Sequence, residues 1–293
     1  MRSFLFVPAD SDKKLAKGAS SGADALILDL EDSIAPSNKE TARKNAAEYL
    51  KSTDPKGPKI CVRINALDTP LWKDDLKAII KANATPFAIL VPKTISGACI
   101  GRVADQLTNL EASAGIGTNK VKLFCVATET AASMFNLGTY ANVTSRLFGM
   151  TWGAEDLAAA LSARDNKDEN GVYTAPYQLA RTLTLLGAVA ADAMPIDGVW
   201  KDFRDEAGLE REARIAARDG FTAKMAIHPA QVEIINRVFT PSEEDLAHAR
   251  TIIAAFDAAG DVGVVALDGV MLDIPHLKQA RALVAKAEAI QTN

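Results

Sequence analysis

Cysteine and histidine are scarce. Three cysteines, Cys61, Cys99 and Cys125, stand far apart with no CxxC pair, and there are three histidines in 293 residues. The odd count and wide spacing leave no disulfide framework, and the expected compartment is a reducing cytoplasm. Cys61 and Cys125 lie inside apolar runs and read as small buried hydrophobes. No stretch approaches the ~18 apolar residues of a membrane span. The opening "MRSFLFVPADSDKK" is too short in its apolar part for a secretory signal. Net charge is -4, so nothing draws nucleic acid or a membrane surface. No GxGxxG or Walker loop is present, which gives no sign of a nucleotide-binding fold. There is no low-complexity segment, and no repeat beyond the alternation described next.

What the sequence does have is that alternation. Short apolar runs, 3–8, 25–30, 59–65, 87–92, 121–128, 145–150, 196–200 and 222–227, are separated by Ala-, Lys- and Glu-rich segments such as 38–51, 70–83, 99–113, 175–191 and 205–219. Several runs are apolar at nearly every position, as in parallel strands covered on both faces. Eight strand–helix units predict a (β/α)8 barrel over residues 1–238, of the typical ~250-residue size, with an open doubly wound sheet as the rival. The rhythm then breaks. A helix over 242–256, N-capped by Ser242 and apolar at Leu246, Ala249, Ile253 and Phe256, precedes two short strands around Asp268-Gly269 and a closing helix. Residues 239–293 are thus expected to form a small α+β appendage that packs on its own barrel or on a neighbouring subunit.

The reaction centre of such a barrel lies at the C-terminal ends of its strands. The expected strand ends are rich in charge: Asp29, Glu31 and Asp32 after the second, Arg63 and Asn65 in "VRIN", Lys93 after the fourth, Glu129 in "ATET", and Glu155 with Asp156 in "GAEDL". Several carboxylates at one mouth repel each other, and a divalent cation removes the conflict. Oxygen donors without a His or Cys cluster favour Mg2+ or Mn2+. At least one of Glu155 and Asp156 is expected on the metal, and the other on the loop or behind the metal's ligands. Mg2+ leaves coordination positions free for a chelating oxo-acid, whose carboxylate Arg63 is suited to grip. Lys93 as a Schiff-base nucleophile is the metal-free alternative; the carboxylate set fits a metal route better. His228, before Pro229 at a helix start, and the three tryptophans read as structural, and His248 as exposed.

In order along the chain, "RSFLFVPAD", "DALILDLEDSI", "VRINALDT", "VPK", "ATETA", "GAEDLAA", "AIHPAQ" and "DGVMLDIPH" resemble the citrate lyase beta-subunit-like family, which includes malyl-CoA and citramalyl-CoA lyases. The resemblance implies a Mg2+-dependent (β/α)8 lyase that makes or breaks a carbon–carbon bond between an acyl thioester and a 2-oxo acid. It implies Glu129 and Asp156 as metal ligands, Arg63 as carboxylate-binding arginine, Glu31 and Asp32 as a pair beside the metal and its waters, and Asp273 as an acid entering a neighbouring subunit's site, there to protonate the thioester enolate. Gly153 and Ala154 join Arg63, Glu129 and Asp156 as candidate substrate contacts. Arg2, Lys13 and Lys14 are candidates for the CoA phosphates, with a solvated helix face as the other reading. The family often has Gly where Ala9 stands, in the first loop. The expected partners are a small acyl-CoA and a 2-oxo acid, in a homo-oligomer of three or six chains. Citramalyl-CoA is placed slightly ahead of malyl-CoA. The rivals are an aldolase for free 4-hydroxy-2-oxo acids, a citrate lyase subunit that docks a carrier protein, and a metal-free binding barrel.

Overall fold

The computed structural model describes residues 1–81 and 84–291. Eight parallel strands close into a barrel: β1 Ser3–Pro8, β2 Ala25–Asp29, β3 Lys59–Arg63, β4 Ala88–Val91, β5 Lys122–Val126, β6 Leu147–Thr151, β7 Met194–Asp197 and β8 Ala223–Ala226. β8 returns to β1 with Phe4 opposite Met225. The helices are α1 Asp12–Ala19, α2 Lys39–Lys51, α3 Leu71–Ile79, α4 Gly97–Ser113, α5 Ala154–Ala160, α6 Ala175–Ala190, α7 Glu206–Asp219 and α8 Ala230–Phe239. This is the predicted (β/α)8 architecture, with two helices rather than one between β6 and β7.

The continuous apolar runs arise because strand residues are buried on both faces. Phe4, Ile27, Cys61, Leu90, Phe124, Val126, Ile196 and Met225 fill the interior, with small Ala25, Ala88 and Ala223 beside the large ones. Phe124 packs on Phe148 at 5.1 Å between ring centroids. Gly149 leaves room for Ile196, since a Cβ there would lie 3.0 Å from the Ile196 side chain. Outward residues such as Leu26 and Leu28 are equally buried.

Two boundaries differ from expectation. β7 begins at Met194, not 196, because Pro195 is tolerated where the strand pairs with β6 at only two positions. Residues 198–200 leave the strand, and Gly198 passes close beside the Trp152 indole. α3 ends at Ile79; residues 82 and 83 of the expected 70–83 helix lie outside the described residues.

Met1–Asn236 form one compact unit and Arg237–Asn293 a second. In the second, α9 Glu243–Ala259 is capped by Ser242 accepting from the Asp245 N–H at 3.0 Å. β9 Val264–Leu267 and β10 Val270–Asp273 form a hairpin, with Asp268 and Gly269 both at positive φ as a two-residue turn requires. α10 Ile274–Gln291 closes the unit. Its core is Ala249, Ile252, Phe256, Val265, Leu272, Leu277 and Ala280. Ile252, not Ile253, is the more deeply buried of that pair. Among the described residues no helix is long and apolar enough to cross a membrane.

Candidate active site

Asp29, the last residue of β2, shapes the loop that follows it. Its two carboxylate oxygens accept from the Glu31 N–H at 3.0 Å and the Ser33 N–H at 3.2 Å, an Asx-type turn. The same oxygens hold Arg63, at the end of β3, in a two-pronged pair with both contacts at 2.7 Å. Burial works against the Asp29 charge, but the Arg63 guanidinium outweighs it and holds the carboxyl below its ordinary range. Arg63 also lies over the Phe6 ring at 4.8 Å, with its Nη1 3.0 Å from Glu31 Oε2. Its guanidinium is thereby fixed in orientation, with N–H groups to spare for a ligand carboxylate.

Lys93 follows β4 and connects the acids. Its main-chain N–H donates to the Glu129 carboxylate. Its Nζ lies 2.6 Å from Glu31 Oε1, 2.7 Å from Asp32 Oδ2 and 3.6 Å from Asp156 Oδ1. Burial disfavours the ammonium, yet the bonds to Asp32 and Glu31 outweigh it and raise the Lys93 pKa. A Schiff-base lysine must be neutral to attack a carbonyl, so this ion-paired ammonium does not suit the metal-free route.

Glu129 is buried after β5. Burial, and then the Asp156 charge, push its carboxyl up to about 8, against the opposing pull of the Lys93 N–H. Asp156 stands in the first turn of α5 and is partly exposed. Adjacent Glu155 points elsewhere, as expected: it accepts from Asn166 Nδ2 at 2.8 Å and pairs with Lys201 at 2.9 Å, tying down the outer loop. Gly153 lets the strand end pass against Glu129, and Ala154 is buried beside it as the first residue of α5. Asn65 is held from below by Asp75, which accepts from its N–H and its amide at 2.8 and 2.7 Å.

A connection the sequence did not announce runs through Trp152. Its indole N–H donates to Asp197 at 2.8 Å, and Asp197 is held by Arg181 and by fully buried Lys224. The only signal was a lone Asp in an apolar stretch near "IDGVW".

The thioester candidates separate. Arg2 precedes β1, at the end of the barrel opposite the acids, and binds Asp24 through Nε at 3.0 Å and Nη2 at 2.8 Å. It is withdrawn from the CoA set, because a residue before a strand lies at the wrong end. Lys13 and Lys14 are exposed on α1, on the mouth side of β1. Lys14, Lys17, Leu5, Val7, Ile227 and His228 line a cavity of about 270 Å³ there. Ala9 is buried, its N–H donates to the Asp29 carbonyl at 3.2 Å, and it is not among the positive-φ residues. The first loop therefore needs no glycine. His228 accepts at Nδ1 from the Ala230 N–H, and its ring stacks on Phe203. In the second unit, Asp273 is exposed at the end of β10, with Oδ1 2.6 Å from His276 Nδ1.

Among the described residues no group of three or more His, Cys, Asp or Glu is arranged to hold a metal ion. Mg2+, however, needs only one or two carboxylates and takes the rest of its shell from water and ligand. Glu129, buried and pressed toward its neutral form by Asp156, is a donor whose ionised form a dication would favour. Glu129 and Asp156 fit such an ion.

The family model described as HpcH/HpaI aldolase/citrate lyase matches residues 2–229. The chain belongs to the HpcH/HpaI aldolase/citrate lyase family. Relatives in and around this family cover nearly its whole length. An L-malyl-CoA/beta-methylmalyl-CoA lyase of Cereibacter sphaeroides is 34% identical over 98% of this chain and 94% of that one. A (3S)-malyl-CoA thioesterase of Cereibacter sphaeroides is 38% identical over 99% and 95%. A solved structure of the protein CitE from Mycobacterium tuberculosis, in complex with magnesium, acetoacetate and coenzyme A, aligns with a TM-score of 0.78 at 33% identity, covering 98% of each chain.

Proposed function

We propose that this HpcH/HpaI-family barrel is a Mg2+-dependent lyase that cleaves a short 3-hydroxyacyl-CoA, a malyl-CoA or citramalyl-CoA, into an acyl-CoA and a 2-oxo acid. The observation that carries the reading is the convergence of Glu31, Asp32, Glu129 and Asp156, from three strand ends, on Lys93, with Arg63 paired to Glu31. The names of the relatives, and the magnesium and coenzyme A of the CitE complex, support it.

Glu129 and Asp156 would hold the ion, which when bound would supply positive charge that eases loss of a proton from a hydroxyl beside a carboxylate. Arg63, rigid on Asp29, orients that carboxylate. Glu31 and Asp32, which pair with Lys93 and, for Glu31, with Arg63, are the candidate acceptors of the hydroxyl proton. The carbon–carbon bond then breaks, its electron pair passing to the thioester as an enolate. Asp273, supplied by a neighbouring chain of a homo-oligomer, gives the enolate carbon its proton. Lys13 and Lys14, exposed on α1, are the candidates for the CoA phosphates.

The test is a screen of malyl-, citramalyl- and citryl-CoA for 2-oxo acid release with and without Mg2+. Release from none of them overturns the reading. Inhibition by free CoA separates it from an aldolase for free 4-hydroxy-2-oxo acids, and co-purifying chains would indicate a citrate lyase subunit. The thioesterase relative, the more identical of the two described, favours one second reading: hydrolysis of the same thioester. Free malate in place of a 2-oxo acid would establish it.

A further inference from the structure

The acidic mouth already contains a cation of its own. Lys93 is among the few non-glycine residues with left-handed backbone, at φ 50°, a conformation that persists only where the surroundings impose it. Both ends of the residue are held. Its N–H meets the Glu129 carboxylate. Its Nζ spans Glu31 and Asp32 at 2.6 and 2.7 Å and faces Asp156 at 3.6 Å. The ammonium therefore stands between the β2 loop acids and Asp156, where an ion bridging those two groups would sit.

Charge makes this placement consequential. Asp29 is balanced by Arg63. Glu31 and Asp32 meet on the Lys93 ammonium, and Asp156 and Glu129 meet the same residue at its Nζ and its main-chain N–H. Acids gathered from several loops are what a second dication would need, its distance from the first being roughly 3.5–4 Å in two-ion sites. We infer that Lys93 is a positioning residue that limits the mouth to one dication: it occupies Glu31 and Asp32 with its ammonium and aims Glu129 with its N–H, leaving Glu129 and Asp156 as the only protein donors. Glu31 and Asp32 then remain metal-free and available to the substrate's proton. The inference rests on the metal reading proposed above.

The experiment counts Mn2+ ions bound per chain on the full-length protein, from the electron paramagnetic resonance signal of free Mn2+, with no substrate present. Wild type is expected to take up one. Lys93→Met is expected to take up two, and Lys93→Arg, which keeps the cation, to return to one. Asp32→Asn alters an exposed side chain and serves if Lys93→Met does not fold; it is expected to keep Mn2+ affinity within threefold of wild type. One ion in Lys93→Met with affinity within threefold of wild type overturns the role of Lys93, as does a loss beyond tenfold in Asp32→Asn, which would make Asp32 a donor. A wild-type chain that takes up no Mn2+ overturns the metal reading and this inference with it, and so the two failures are distinguishable.

Discussion

Gly153 and Glu129 compete for one volume: a Cβ on Gly153 would lie 2.8 Å from Glu129 Cγ and 3.3 Å from its Oε1. The buried Glu129 side chain is packed against bare backbone, and the same Cβ would lie 3.2 Å from Val126 Cγ1, which leaves it no room to turn aside. Gly153→Ala should therefore push Glu129 off the Lys93 N–H. We expect a destabilisation of roughly 1–3 kcal/mol, the usual cost of overpacking, and at least a tenfold loss of Mn2+ affinity by titration calorimetry. Unchanged affinity would mean that Glu129 is not a donor.

Removing the acids themselves should act differently. Asp156→Ala takes a negative charge away from a carboxyl whose pKa that charge raises. The metal-free variant should melt no lower than wild type, while turnover falls to background. Glu129→Ala should likewise lose turnover and keep the fold. Near-normal activity of either variant in chelator would refute the assignment.

How much of this was legible beforehand depends on what each residue contacts. The barrel was readable because strands buried on both faces leave continuous apolar runs, and the acids were readable because they end those runs. Pro195 hid the start of β7. The pairing of Asp29 with Arg63 joins residues 34 apart across two strands, and spacing in the chain carries no trace of it. Lys93 was visible as a lysine at a strand end, but its left-handed backbone and its contacts with the acids depend on four separate loops. Arg2 and Lys13 flank β1 in the chain, but the strand between them puts Arg2 at the opposite end of the barrel.

Arg63 is expected to resist conservative replacement. Lys cannot reproduce two parallel bonds to Asp29, and Arg63→Met leaves buried Asp29 without its cation. The Met variant should lose roughly 3–5 kcal/mol of stability, the range for breaking a buried pair from one side. Arg63→Lys should fold better than Arg63→Met and still show a raised KM for the carboxylate-bearing substrate. A Lys variant with wild-type KM would exclude Arg63 from carboxylate recognition.

Asp273 offers a test that is independent of the metal. It belongs to the second compact unit, whose core uses none of its atoms. Asp273→Ala should leave the melting temperature and Mn2+ affinity unchanged while slowing turnover. Mixing it with an Asp156→Ala chain should restore part of the activity if each site draws Asp273 from a neighbouring chain. A rate within twofold of wild type, roughly 0.4 kcal/mol in barrier, would remove Asp273 from the mechanism.

Acid sensitivity should come from ion pairs away from the mouth as well as within it. Glu111 is fully buried and meets Arg146 at 2.9 and 2.6 Å, and Asp197 is fully buried between Arg181 and Lys224. Burial opposes both charges, but the cationic partners outweigh it and depress both carboxyls, from ordinary values of 4.5 for Glu111 and 3.8 for Asp197. A carboxyl depressed in the folded chain binds fewer protons than the unfolded one, so stability rises with pH in that range. The contribution is complete above about pH 4.5 and is lost as pH falls below 3.8 toward the folded values. Wild type should therefore show a steep drop in urea midpoint below pH 4. Arg146→Met, which strands Glu111, should lower the midpoint at pH 7 by the equivalent of roughly 3–5 kcal/mol and flatten the acid slope, because Glu111 then has less reason to stay ionised. Its Mn2+ affinity should not move, since Glu111 is bound to residues at the start of β5 and β6 and the candidate ligands lie at the opposite ends of the strands. An acid slope identical to wild type would mean that Glu111 does not contribute to the transition.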